Sequence, residues 1–305
     1  MRDSFIKLIT KNINRKKNIY FITADLGFSV LEKLKEKLKY RFINVGICEN
    51  HMSLFATGLS EKKNNVYIYS IATFLTLRCF EIFRNYFNKE ERAIKIISVG
   101  SNFSYGEMGP THHVNEDVGL ISNLENFYNC NPGNTNELKY IYNLQNKFSN
   151  KPFYIRLNKS DFSKPGNYHL KIEKDFFFKS GKKINIITSG IAQKYFFKAI
   201  VDRYQYNIFN HISLPELNKI NLKNVVKRII NTNSIILIDF LDTVKSVHEL
   251  KYLIKNKNPH KKIKTFSVYK LNNLKVGNQD YLFEQNGFTI NKIRKCLDLL
   301  VFNKS

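Results

Sequence analysis

The chain has 305 residues, of which 43% are hydrophobic, so it is long enough for two α/β domains and too long for one small fold. Its formal net charge of +24 is spread along the sequence, which argues against a dedicated nucleic-acid-binding stripe. The four cysteines form no CxxC pair, so neither a zinc site nor a disulfide framework is indicated. With no apolar run of membrane-spanning length, the sequence predicts a soluble, cytoplasmic protein that binds neither nucleic acid nor membrane.

Short β-branched and aromatic runs alternate with helical segments through the first half of the chain, which is typical of parallel βαβ units. The predicted strands are 19–24, 65–70, 93–99, 127–132 and 152–157. Helical periodicity is found in 49–62 and in 73–87. We therefore predict a first, larger α/β domain of doubly wound type over residues 1–160.

The alternation stops after residue 160 and returns later. Residues 161–183 contain Pro165, Gly166 and scattered charges, so we expect a linker there. The next predicted strands are 184–190, 206–212, 234–240 and 263–269. They predict a second, smaller doubly wound α/β domain over residues 184–305.

One acidic residue stands out at the predicted carboxyl edge of the first sheet. In RFINVGICENHM (41–52), Gly46 follows a strand and Glu49 begins a helix. Open parallel sheets bind ligands at this edge. A glutamate in the first turn also complements the helix dipole by about 0.3–1 kcal/mol, so the segment alone leaves both explanations open.

Two further segments combine unusual residues after strand ends. YSIATFLTLRCFE (69–81) places Phe74, Leu77 and Phe80 at three-residue spacing, which by itself is typical of core packing. GSNFSYGEMGPTHHVNED (100–117) brings His112 and His113 into one glycine-containing loop beside acidic residues. The spacing of these groups does not match that of a known metal site.

Together with ITADLG (22–27), these three segments resemble, in order and spacing, the pyrimidine-binding domain of transketolases and of the related 1-deoxyxylulose-5-phosphate synthases. The resemblance covers residues 1–160 well, and the second domain is similar to the transketolase C-terminal domain. It implies an enzyme that uses thiamine diphosphate and transfers a two-carbon ketol unit between sugar phosphates.

The resemblance implies a role for each cofactor-binding residue. Glu49 matches the glutamate that shares a proton with N1′ of the aminopyrimidine and so activates the cofactor. Phe74, Leu77 and Phe80 match the wall that packs against this ring, although transketolases usually carry an aromatic residue at the position of Leu77. Asp25 matches an acid near the thiazolium.

The resemblance also implies the substrate-binding residues. His112 matches a histidine that contacts substrate oxygens and transfers protons, and its neighbour His113 is a second candidate. Arg156 matches an arginine for the substrate phosphate. Met108 stands where the family usually has an acid that binds a hydroxyl of the donor sugar. Because that acid is missing, a decarboxylating acyl transfer from pyruvate or another 2-oxo acid remains an alternative.

The sequence contains no GDG motif, which thiamine diphosphate enzymes use to hold Mg²⁺ and the diphosphate. We therefore expect a separate subunit to carry this function, so that the chain resembles the β subunit of a split transketolase in an α₂β₂ heterotetramer. A non-catalytic, basic binding protein with the same fold is the remaining alternative.

Overall fold

The computed structural model describes residues 1–13, 18–62, 64–89, 92–159, 165–232, 234–238, 243–268 and 275–302. Within them the chain forms two six-stranded sheets, each flanked by helices. This arrangement confirms the predicted α/β fold with two sheets. Among the described helices, none combines the length and apolar composition that a membrane span requires.

The first sheet is entirely parallel and has the strand order β2-β1-β3-β4-β6-β5. Its central strands are rich in β-branched and aromatic residues and are buried, as expected for strands covered on both faces. The strands are β1 (Ile19–Thr23), β2 (Phe42–Asn44), β3 (Asn65–Ile71), β4 (Ile94–Val99), β5 (Tyr128–Cys130) and β6 (Phe153–Leu157). The accompanying helices are α1 (Arg2–Asn12), α2 (Glu32–Leu38), α3 (Glu49–Glu61), α4 (Ala72–Ile82), α5 (Asp117–Ser122) and α6 (Thr135–Lys147).

The second sheet has the order β12-β11-β9-β10-β8-β7 and is parallel except for β7 and β8. The strands are β7 (Lys171–Glu173), β8 (Phe176–Lys179), β9 (Ile184–Thr188), β10 (Phe209–Ser213), β11 (Ser234–Ile238) and β12 (Lys262–Phe266). The helices are α7 (Ala192–Ile200), α8 (Leu222–Lys227), α9 (Lys245–Lys257), α10 (Gln279–Gln285) and α11 (Ile290–Phe302). The expected strand ends at 239–240 and 269 lie outside the described residues.

The segment expected to be a linker contributes to the second sheet. Residues 161–164 lie outside the described part of the chain, but β7 and β8 within 161–183 form an antiparallel hairpin that pairs with β10. Buried Phe176 and Phe177 anchor the hairpin in the structure. Strands β7 and β8 within 161–183 therefore belong to the sheet, and the proposed boundaries 1–160 and 184–305 remain a prediction.

One apolar core contains side chains from both sheets. Ile22 and Ile68 of the first sheet belong to the same contiguous cluster of buried residues as Ile187, Ile212 and Leu237 of the second. Backbone hydrogen bonds add to this contact, because the amide of Asn131 donates to the carbonyl of Pro215. The two sheets are thus packed against each other through a shared interior.

Candidate active site

Glu49 is the first residue of α3 and is only 3% exposed. The chain reaches this helix from β2 through Gly46, whose φ of +75° is accessible to glycine at little cost. The carboxylate accepts two hydrogen bonds: Ser70 Oγ at the end of β3 donates to Oε1 at 3.3 Å, and Arg78 Nη1 donates to Oε2 at 3.0 Å. The sequence-predicted acid is therefore buried at the carboxyl edge of the sheet, with a cationic partner.

Arg78 connects Glu49 to Phe74. The two residues Arg78 and Phe74 are four positions apart on α4, so their side chains project from the same face. The central carbon of the guanidinium lies 4.4 Å from the centre of the Phe74 ring, within the range of a cation–π contact. Arg78 thus contacts a carboxylate and an aromatic face together.

The ring of His112 packs with its edge toward Phe74, with 4.9 Å between ring centres and an interplanar angle of 69°. Its Nδ1 is 3.0 Å from Thr111 Oγ1. Burial lowers the pKa of His112 below its ordinary value, which favours a neutral ring that has one N–H donor and one acceptor nitrogen. The structure thereby brings together Glu49, Phe74 and His112 from three separate sequence segments.

His113 points the other way. Its ring is buried, lies edge-on to Phe103 at 5.2 Å, and has Nε2 3.5 Å from the carbonyl oxygen of Gly106. Burial lowers the pKa of His113 as well. The expectation that His113 binds substrate is inconsistent with this position, because its side chain packs into the protein interior.

Arg156, expected to bind the substrate phosphate, is engaged inside the protein, and its role toward a substrate remains a prediction. The side chain is 1% exposed, and its guanidinium donates to both carboxylate oxygens of Asp117 at 2.7 and 3.1 Å. It also donates to Asn102 Oδ1 and to the carbonyl oxygen of Val114. Arg156 therefore holds the loop that carries the histidines in place.

The other predicted residues are spread around the edge of the site. Asp25 is exposed after β1 with φ of +54°, and its carboxylate accepts a hydrogen bond from Asn44 Nδ2 at 3.0 Å. Leu77 is exposed on α4, whereas Phe80 is partly buried against the core. Their roles toward a cofactor remain predictions.

Three polar residues that contribute to the site were not among the sequence candidates. Ser70 and Arg78 hold the Glu49 carboxylate, and Lys159 Nζ lies 5.3 Å from the centre of the Tyr105 ring, which contacts His112 edge-on. A signal for Arg78 is present in the sequence, since it is the one charged residue in the apolar stretch TFLTLRCF. Ser70 is likewise a small polar residue among the aliphatic and aromatic residues at the end of β3.

Within the described residues, no three His, Cys, Asp or Glu side chains lie close enough together to hold a metal ion.

Comparison with known proteins gives the family. Residues 1–164 match the family described as transketolase, pyrimidine binding domain. A protein of Methanocaldococcus jannaschii described as a transketolase C-terminal section is 23% identical over 195 residues, covering 62% of this chain and 61% of that protein. One of the subunits of the apulose-4-phosphate transketolase of Phocaeicola vulgatus is 22% identical over 193 residues, covering 62% of each. The matches thus span somewhat more than three fifths of the length of these curated relatives.

A solved structure described as a split gene transketolase, inactive beta4 tetramer, superimposes with a TM-score of 0.80 at 20% identity. The superposition covers 100% of this chain and 98% of that one, so the fold is shared across both sheets. Since the family match covers more than half of the sequence, the chain belongs to the transketolase pyrimidine-binding-domain family.

Proposed function

We propose that the chain is the pyrimidine-binding subunit of a thiamine-diphosphate-dependent, transketolase-like enzyme that moves a two-carbon ketol unit between sugar phosphates. The observation that carries this proposal is the buried carboxylate of Glu49 beside the ring of Phe74 at the carboxyl edge of a parallel sheet. Family membership and the fold shared with a transketolase support it.

The residues present fit the aminopyrimidine part of the cofactor. The guanidinium of Arg78 is a planar group with N–H donors, and it is already held by Glu49 Oε2 and by the face of Phe74. An aminopyrimidine is also planar and presents nitrogen to a carboxylate and a π-face to an aromatic ring. The pair Glu49 and Phe74 therefore offers this ring a carboxyl group that can share a proton with its nitrogen and an aromatic face for stacking.

When bound, thiamine diphosphate supplies a carbanion-stabilising centre that amino-acid side chains lack. Glu49, fixed at the start of α3, would hold a proton at the pyrimidine nitrogen. Phe74 would pack against the face of the ring. His112 is partly exposed beside Phe74, and burial lowers its pKa, so its ring would donate and accept protons at substrate oxygens.

We assign the substrate phosphate to a lysine in place of Arg156. Lys159 is exposed, follows the end of β6, and contacts Tyr105, whose ring in turn contacts His112. We propose that the ammonium group of Lys159 binds the phosphate of a substrate held by His112.

We propose that Mg²⁺ and the diphosphate are held mainly by a partner subunit, in a heterotetramer of two chains of each kind. Support comes from exposed apolar side chains around the site, on the loops after β1, β2 and β4 and on helices α3 and α4: Phe28, Ile47, Leu54, Leu77 and Met108. Exposed apolar side chains gathered around one site are typical of protein interfaces. A cytoplasmic location fits the four free cysteines.

The proposal is tested by combining the chain with a GDG-containing partner chain from the same genome, in the presence of thiamine diphosphate and Mg²⁺. We expect a ketose phosphate to release an aldose phosphate only when both chains and the cofactor are present. Release of CO₂ from pyruvate would instead support acyl transfer, which the exposed Met108 and Leu77 leave as the second candidate. A lack of thiamine-dependent product from either donor would overturn the proposal.

A further inference from the structure

The guanidinium of Arg78 contacts both groups that we assign to the aminopyrimidine. Its Nη1 lies 3.0 Å from Glu49 Oε2, and its central carbon lies 4.4 Å from the centre of the Phe74 ring. One contact is a charge-assisted hydrogen bond and the other is a cation–π contact. Arg78 therefore covers the carboxylate oxygen and the aromatic face at the same time.

An aminopyrimidine would need these same two contacts. The other carboxylate oxygen, Oε1, accepts the hydroxyl of Ser70 at 3.3 Å and lies on the protein side of the group, where Ser70 is fully buried. Oε2 is thus the oxygen that a ring approaching from the surface would meet. The guanidinium and the ring cannot lie on the same face of Phe74 together.

The difference in exposure indicates which partner moves. Glu49 is 3% exposed, whereas 52% of the Arg78 side chain is exposed. The backbones of α3 and α4 are held near each other by Cys79, whose thiol donates to Asn50 Oδ1 at 3.2 Å. Rotation of the long, half-exposed Arg78 side chain into solvent frees both contacts without moving either helix.

We propose that Arg78 competes with the aminopyrimidine of thiamine diphosphate for Glu49 and Phe74, and that outward rotation of Arg78 is a required step of cofactor binding. This inference rests on the proposed function. It also explains why Arg78 lies beside Glu49. A deeply buried carboxylate needs a compensating charge until another group occupies the position of the guanidinium.

The test measures the dissociation constant of thiamine diphosphate from the complex of both chains, by calorimetry at fixed Mg²⁺. In Arg78→Gln the ion pair is lost, so we expect binding to become about 3- to 10-fold tighter. Arg78→Lys keeps the charge but loses the planar fork, so it should fall between Arg78→Gln and the unchanged protein. Arg84→Gln, at an exposed position of the helical segment that follows α4, is the matched control and should not change binding.

The salt dependence of cofactor binding is a second measurement. A purely structural role of Arg78 would not make the effect of its substitution depend on salt. Screening weakens the ion pair, so the ratio of dissociation constants between the unchanged protein and Arg78→Gln should shrink as NaCl increases. Equal or weaker binding by Arg78→Gln, with the unchanged complex still binding the cofactor, would overturn the inference and leave the proposed function standing. Failure of the unchanged complex to bind thiamine diphosphate would overturn both.

Discussion

Arg156 and Asp117 form a bidentate ion pair inside the first domain, with Nε–Oδ2 and Nη2–Oδ1 distances of 2.7 and 3.1 Å and side-chain exposures of 1% and 0%. The hydroxyl of Tyr154 donates to the same carboxylate at 2.7 Å and also lies 2.9 Å from Thr76 Oγ1 on α4. The pair therefore connects β6, the histidine loop and the helix that carries Phe74.

Removing one member of this pair should destabilise the fold strongly. Arg156→Leu or Asp117→Leu leaves a buried charge without its partner, for which we expect a loss of about 3–5 kcal/mol of unfolding free energy in urea titrations. The double variant should recover part of that loss. The surface pair Arg203–Asp298 is the control, and Arg203→Leu should have a much smaller effect. Retention of stability in Arg156→Leu would restore a ligand-binding role for this arginine.

Glu49→Gln should reduce turnover of the complex by at least about 100-fold, because the amide keeps the shape of the side chain but cannot take up a proton. Its unfolding free energy should change little, since the partner Arg78 is half exposed and can be hydrated. Glu61→Gln on the same helix, where the carboxylate pairs with Arg92 at the surface, is the control and should keep full activity. Normal turnover by Glu49→Gln would rule out the thiamine mechanism.

Substitution of His112 should affect activity, whereas substitution of the adjacent His113 should affect stability. His112→Gln should lower kcat/KM by about 100-fold or more while leaving the urea midpoint unchanged, because its ring is partly exposed beside Phe74. His113→Gln should lower the unfolding free energy by about 1–3 kcal/mol through lost packing on Phe103 and an unsatisfied buried amide. The reverse pattern would show that His113 is the substrate-binding residue.

Glu216 should give the fold a measurable pH dependence. Burial raises the pKa of Glu216 from about 4.5 to about 7, although backbone amides of Asn129, Asn218 and Lys219 donate to its carboxylate. Since the folded pKa exceeds the unfolded one, its contribution to stability is complete below pH 4.5 and is lost as the pH rises to 7. In Glu216→Gln the unfolding free energy should therefore fall less over this window, as measured by urea titrations at several pH values. An identical slope in both proteins would contradict the assignment.

Ile47 should mark the surface that contacts the partner subunit. It is 78% exposed on the loop directly before Glu49. Ile47→Asp should weaken association of the two chains, measured by analytical ultracentrifugation, because a charge would be buried against an apolar partner surface. Tyr252→Asp on the exposed side of α9 tests the effect of an added charge elsewhere and should leave association intact. Equal association of both variants would place the interface on another face.

Sequence patterns predicted the elements that have strong local signals. The run at 93–99 contains β4, and the helix beginning at Glu49 was expected because an acid follows a glycine and an apolar strand. The hairpin of β7 and β8 was missed, since its three- and four-residue strands lie among charged residues and depend on pairing with β10 for stability. The strand expected at 206–212 is shifted to β10 because Tyr206–Ile208 forms a short 3-10 helix.

Side-chain environments at the site depended on contacts that are distant in sequence. Nothing local in PFYIRL shows that Arg156 lies against Asp117, which precedes it by 39 positions. The ion pair between Arg78 and Glu49 likewise joins α4 and α3, which are separated in the sequence by β3. Motif positions therefore predicted where the candidate site lies, whereas tertiary contacts decide which of its charged groups are already paired within the protein.

The interior shared by the two sheets has a consequence for how the molecule melts. Cleaving the chain between β6 and β7 would leave Ile22 and Ile68 on one piece and Ile212 and Leu237 on the other, each with an apolar face open to water. The two halves therefore depend on each other for cooperativity, and heating should give a single calorimetric endotherm, with equal van't Hoff and calorimetric enthalpies.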